Sequence, residues 1–236
     1  MFKRLFDVVA AFCGLMITSP LLIVIAIWVK LDSKGPVFYR PERAGRFGIP
    51  FRIYKFRSMV IDADKIGGPT TSGNDPRVTR SGRFIRKCKL DEISQLINVV
   101  RGEMSLVGPR PEVVWKVEKY SREEKMTLEL RPGITDWASI WNSDEGSVLA
   151  DAEDPDAVYE EVIRPIKMKL QLYYYETRSF FEDLKIIFYT FYRLINKNWM
   201  PEELHDYPAF DELRAQALRV IKRQKETFAG KEWIVQ

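Results

Sequence analysis

VVAAFCGLMITSPLLIVIAIWV, residues 8–29, is an uncharged apolar run with Ser19-Pro20 at its centre and basic residues on both sides. As a straight helix at 1.5 Å per residue it reaches roughly 33 Å, enough to span a bilayer core. Proline inside a helix deletes a backbone donor and clashes with the preceding turn, and Ser19 beside it can bond a freed carbonyl, so a bend is cheap at Ser19-Pro20. Charge bears on whether the chain crosses or returns. Lys3 and Arg4 precede the run, and Lys30, Lys34, Arg40, Arg43 and Arg46 follow it. Lys and Arg mark the cytoplasmic flank of a membrane segment, so a re-entrant hairpin with both ends in the cytosol satisfies the rule better than a crossing. The alternative is an N-terminal anchor with a proline kink. A cleaved signal peptide is disfavoured, since the run is long and no small-x-small cleavage site follows it.

Outside this run the chain reads as a water-facing domain. Its 236 residues and mean hydropathy of −0.23 exclude a protein with many spans. The formal charge of +4 is mild, so attraction to anions must come from local clusters. Nucleic acid is the least favoured partner, because the basic residues follow a membrane segment. Cys13 and Cys88 show no CxxC spacing and give no disulfide or zinc framework. The single histidine, His205, lies in a polar stretch, which leaves catalysis to carboxylates, Lys, Tyr or Ser.

The pattern predicts a mostly helical α+β fold. Two short strands, near 37–40 and 51–57, are joined by a loop carrying Gly45, Gly48 and Pro50 as a small β-hairpin. Residues 67–76 read as a loop. Leu90, Ile93, Leu96, Ile97 and Val100 recur at helical spacing up to Gly102. Residues 113–130 read as helical, Arg131-Pro132-Gly133 breaks them, and 144–155 reads as an acidic loop. Residues 170–199 carry an aromatic stripe that suits either an amphipathic helix in the membrane surface or a core helix. The expected divisions are a membrane helix over 1–34, a catalytic domain over 35–195 and a charged tail over 196–236.

Asp91 and Glu92 follow Arg86, Lys87 and Lys89 directly. Acids in a first helical turn complement the helix dipole, which is the plainest reading of such a pair. Here, however, Arg77, Arg80, Arg83, Arg86 and Lys89 recur at every third position. That pattern is either a solvated or lipid-facing stripe or a phosphate-binding wall beside two carboxylates, as phosphoryl transfer requires. Adjacent helical residues point roughly 100° apart, so the two acids take separate roles.

The ordered series Lys3-Arg4-Leu5-Phe6-Asp7, Ser19-Pro20, Gly35-Pro36-Val37-Phe38, Tyr54-Lys55-Phe56-Arg57-Ser58-Met59, Asp75-Pro76-Arg77-Val78-Thr79, Leu90-Asp91-Glu92, Gln95-Leu96-Ile97-Asn98-Val99, Met104 through Pro111, and Arg131-Pro132-Gly133-Ile134-Thr135 closely resembles the bacterial sugar transferases known as monotopic phosphoglycosyl transferases. The resemblance runs from about residue 1 to 190. It implies a re-entrant helix bent at Ser19-Pro20 and a site on the cytosolic face of the bacterial inner membrane. There Asp91 attacks the sugar-linked phosphorus of a UDP-sugar donor, UMP leaves, and polyprenyl phosphate takes the phospho-sugar from the aspartyl adduct. Glu92 is then the second member of the dyad, and Mg²⁺ bridges Asp91 and the diphosphate. Lys55, Arg57, Arg86, Arg110 and Arg131 match basic positions for substrate phosphates, and Asp183 matches a required acid. From its surroundings alone Asp183 also reads as a surface acid paired with Lys185 or Arg178. Partners under this reading are the donor, the lipid acceptor and membrane lipid, with room for a homodimer. Cys88-Lys89 and the stretch after Thr135 depart from the family pattern. Two rival readings are a non-catalytic module binding anionic lipid and a glycosyltransferase that moves sugar alone and releases UDP.

Overall fold

The computed structural model describes residues 2–66, 75–142, 144–150, 152–197 and 199–232. Most of the loop expected over 67–76 lies outside the described residues. Helix α1 (Phe2–Asp32) passes through Ser19-Pro20 as one element and is long and apolar enough to cross a membrane. Pro20 cannot donate to the Met16 carbonyl, and the Ser19 hydroxyl donates to it instead at 2.8 Å. Thr18 likewise donates to the Gly14 carbonyl at 2.7 Å.

Both ends of α1 dock on the same body. Near its start Ala11 packs with Val99, Met104 and Ile53; near its end Ile25 and Val29 pack with Phe56 and Ile85. The Arg57 guanidinium donates to the carbonyls of Val29 and Ser33, and Asp32 accepts from the Ser81 amide and hydroxyl. The other face of α1, with Phe12, Met16, Ile17, Val24 and Leu31, is exposed.

The expected hairpin forms in two pieces. Strand β1 (Phe38–Tyr39) and, after it, β2 (Glu42–Ala44) pair antiparallel with β4 (Lys55–Phe56) and β3 (Pro50–Arg52) respectively. A short α2 (Ala63–Ile66) precedes α3 (Arg80–Lys87), where Thr79 accepts from the Gly82 amide at 3.0 Å. Thr79→Ala is expected to cost about 1 kcal/mol, read as a fall of about 2–4 °C in thermal midpoint.

The 90–101 segment is a 3₁₀ turn (Leu90–Gln95) running into α4 (Leu96–Arg101), which ends at Gly102 with φ 89°. Strand β5 (Ser105–Val107) follows. The helix expected over 113–130 is interrupted. It is α5 (Val114–Glu118), then a 3₁₀ turn (Glu124–Glu129), because Ser121 and Glu124 cap one another's backbone amides and start a new element. Strand β6 (Gly133–Thr135) pairs parallel to β5, with Ser105 opposite Gly133 and Val107 opposite Thr135.

Next come α6 (Trp137–Trp141), α7 (Glu145–Val148) and α8 (Pro155–Val158), the middle one inside the expected acidic loop. Val148 and Leu149 are buried there, which holds that segment against the core. The long aromatic element divides into α9 (Arg164–Thr177) and α10 (Phe180–Ile195), since the Ser179 hydroxyl accepts from the Glu182 amide and starts a second helix. Helix α11 (Phe210–Glu232) completes the fold. Trp137, Ile140, Leu149, Ile163, Leu170 and Ile186 centre the main core, and Leu204, Leu213, Ala217 and Ile221 from the charged C-terminal stretch join them.

Candidate active site

Lys89 adopts a left-handed backbone, φ 57°, and turns the chain from α3 into the 3₁₀ turn that carries Asp91 and Glu92. Side chains on the same segment tie it to the β-hairpin. The Ser94 hydroxyl donates to the Tyr54 carbonyl at 3.0 Å, the Tyr54 amide donates to Asn98 Oδ1 at 2.8 Å, and Asn98 Nδ2 donates to the Arg52 carbonyl at 2.9 Å. Those bonds set Lys55, next along the hairpin, against both carboxylates. Its Nζ lies 3.0 Å from Asp91 Oδ2 and 3.3 Å from Glu92 Oε1.

Arg110 arrives from the other side. Strand β5 ends at Val107, and Gly108-Pro109 leads to Arg110, whose two terminal nitrogens grip both oxygens of Glu92, one pair at 3.0 Å. Burial would raise the Glu92 carboxyl, but Arg110, then Lys55 and Lys89, hold it well below the ordinary carboxylate range. Glu92 therefore stays ionised at neutral pH. Its charge in turn raises the Arg110 guanidinium against the opposing effect of burial.

Asp91, Glu92, Lys55, Arg57, Arg86 and Arg110 all line one open cleft of about 2500 Å³. Arg57 is 5% exposed and its donated bonds go to the end of α1 and hold that helix in place; among the described residues its Nε and Nη1 have no hydrogen-bond partner. Arg131 lies apart from the cleft lining and donates to the Gly102 carbonyl at 3.0 Å. Asp183, also apart, is buried and pairs with Lys3 of α1 and the Tyr174 hydroxyl, in place of Lys185 or Arg178. Burial raises its carboxyl despite Lys3.

The cleft lining also carries groups that the sequence pattern did not single out: Glu145 of α7 pairs with Lys167 of α9 at 2.9 Å. Asp136, outside the lining, caps α6 by accepting from the Ser139 amide at 2.7 Å. For Glu145, burial pushes the carboxyl up, but Lys167 and Arg110 outweigh it and hold it down. Lys167 gave no signal in the sequence because it is one of many charges along an amphipathic helix. Glu145 was visible only as one more acid in a stretch read as a loop.

Comparison with known proteins shows the family. The bacterial sugar transferase family model matches residues 1–197, and the chain belongs to that family. It is 38% identical over 191 residues to an Aeromonas hydrophila UDP-N-acetylgalactosamine-undecaprenyl-phosphate N-acetylgalactosaminephosphotransferase, covering 80% of this chain and 42% of that protein. It is 39% identical over 202 residues to the Escherichia coli K12 UDP-glucose:undecaprenyl-phosphate glucose-1-phosphate transferase, covering 83% and 40%. With an uncharacterized Bacillus subtilis sugar transferase, EpsL, it shares 35% identity over 203 residues, 86% of this chain and 92% of that one. The chain thus spans about two fifths of the length of the first two relatives.

Proposed function

We propose that this chain is a membrane phosphoglycosyl transferase that moves a sugar-1-phosphate from a UDP-sugar to polyprenyl phosphate through an aspartyl adduct. The observation that carries this reading is the carboxylate pair at the cleft floor, bridged by Lys55 and gripped through Glu92 by Arg110. Two anions repel, so a carboxylate reacts with a diphosphate only where fixed cations cancel charge, and those cations stand within contact of the pair.

In the first step an Asp91 carboxylate oxygen bonds to the sugar-linked phosphorus, the bond from that phosphorus to the bridging oxygen breaks, and UMP leaves with the electron pair. In the second, a phosphate oxygen of polyprenyl phosphate attacks the same phosphorus, the bond to Asp91 breaks, and polyprenyl diphosphate sugar departs. Glu92 orients Arg110 toward the phosphates and stands beside Asp91 as the second carboxylate of the dyad. Asp91 would hold a magnesium ion, its carboxylate oxygens being the hard donors that ion takes, and the ion would supply charge neutralisation for the departing phosphate.

Polyprenyl phosphate keeps its chain in lipid and its phosphate at the surface, so the site must lie at the interface. Basic residues on both flanks of α1 and the docking of both its ends on one body support a helix that enters and leaves the same leaflet. Exposed Phe181, Phe188, Phe191, Leu194 and Ile195 on α10 support a second interfacial surface on the cytosolic face of the inner membrane.

The testing experiment is nucleotide release from a panel of UDP-sugars with Mg²⁺ and polyprenyl phosphate. UMP is the expected product; UDP would move the reaction to sugar-only transfer, and no release across the panel would overturn the reading. Within this reading Arg110→Met removes the cation that depresses the Glu92 carboxyl. That carboxyl then rises, because burial is opposed by Lys55 and Lys89 alone, so it protonates earlier as pH falls. Arg110→Met is expected to lose about 100-fold in kcat at pH 7 and to show an acid limb at higher pH than the native enzyme.

A further inference from the structure

Lys3, Arg4 and Asp7, in the first turns of α1, are not part of the cleft lining, yet their bonds converge on the chain that joins Glu92 to Arg110. Arg4 Nη2 donates to the Val99 and Val100 carbonyls at 2.6 and 3.3 Å, and its Nη1 donates to the Met104 carbonyl at 3.2 Å. Asp7, 3% exposed, accepts from the Ser105 hydroxyl at 2.7 Å and the Leu106 amide at 3.3 Å. Lys3 Nζ donates to the Val107 carbonyl at 3.3 Å and pairs with Asp183. The Tyr174 hydroxyl donates to Asp183 Oδ1 at 2.6 Å and also lies 3.4 Å from the Val107 carbonyl.

Val99 and Val100 belong to α4, which continues the turn that carries Glu92. Val107 ends the strand that delivers Arg110. Both ends of this link are therefore tied to one helical surface, and two carboxylates, Asp7 and Asp183, are withdrawn from water to do it while Lys3 and Arg4 stay half-buried. Burying charge is costly unless each group is paired, and replacement by apolar residues is often neutral for stability. A cluster of this kind is better explained by the geometry it imposes than by the stability it adds.

We propose that Lys3, Arg4 and Asp7, with Asp183 and Tyr174 behind them, are positioning residues that seat residues 99–107 so that Arg110 meets Glu92. Seating the start of the membrane helix and assembling the phosphate-binding arginine are then one event. This inference rests on the reading of Asp91, Glu92 and Arg110 as the site of phosphoryl transfer.

The test compares Lys3→Met, Lys3→Arg, Arg110→Met and the Lys3→Met/Arg110→Met double variant of the full chain in lipid, with kcat and KM for UMP release measured per folded molecule. Lys3→Met is expected to lose about tenfold in kcat, Lys3→Arg to restore it, and Lys3→Met to cost nothing further once Arg110 is gone. A native kcat per folded molecule in Lys3→Met, no rescue in Lys3→Arg, or additive losses in the double variant would each overturn the proposal. If Lys3→Met does not fold, Tyr174→Phe carries the same comparison with the same criteria. Absence of UMP release by the native protein would instead overturn the catalytic reading beneath it, so the two failures are distinguishable.

Discussion

Asp91→Asn is expected to abolish UMP release, a loss of about 1000-fold or more, while the protein folds and docks its membrane helix as the native chain does. The amide keeps the shape of the side chain but is a far poorer nucleophile, and it removes the charge that Lys55 Nζ meets at 3.0 Å. Incubated with donor and no acceptor, the native protein should gain the mass of a phospho-sugar, and the variant should not. Glu92→Gln separates the roles further. It leaves the nucleophile in place but loosens Arg110, so adduct should form slowly and remain visible. An adduct on Asp91→Asn would place the reacting carboxylate elsewhere.

The second large effect is structural. Gly133→Ala should cost about 3 kcal/mol or more and leave little folded protein, because a Cβ there would stand 2.1 Å from the Gly108 backbone nitrogen. Gly108 faces the same constraint, its own Cβ meeting the Arg131 carbonyl oxygen at 2.4 Å. The two glycines let β5 and β6 approach closely where the Gly133 amide donates to the Pro109 carbonyl at 2.9 Å. Forced apart, that pair would also displace Arg110, one residue beyond Pro109. Any fraction that folds should therefore show the acid limb expected of Arg110→Met. Thermal unfolding and the pH profile of the surviving fraction check the two parts of this outcome.

Much of this was legible in the residues. The apolar run and the hairpin glycines announce themselves through local chemistry, and each has its counterpart in the structure; Ser19-Pro20 lies inside a single helix, α1. Elements whose limits depend on small polar caps were harder to read. Ser121 and Ser179 each start a new helix inside a stretch that looks continuous, because apolar periodicity carries across the break. Partners distant in sequence were not legible at all. Nothing near Asp183 points to Lys3, and nothing near Arg57 points to the carbonyls ending α1. The family resemblance marks Arg57 and Arg131 for substrate phosphates and Asp183 as a required acid. Packing instead sets Arg131 and Asp183 apart from the cleft lining and ties Arg57 to the end of α1.

The C-terminal helix extends the reach of the site beyond the segment that the family shares. The family model's match ends at residue 197, yet Arg214 of α11 donates to the Val148 and Ala150 carbonyls at 2.7 and 2.9 Å. Those carbonyls lie at and just beyond the end of α7, the helix that carries Glu145. Phe210, Asp211 and Leu213 of α11 themselves line the cleft, so part of its lining comes from outside the matched segment. Substitutions along α11 are expected to reshape what the cleft admits without touching Asp91 or Glu92, so its shape and its carboxylate pair can vary separately.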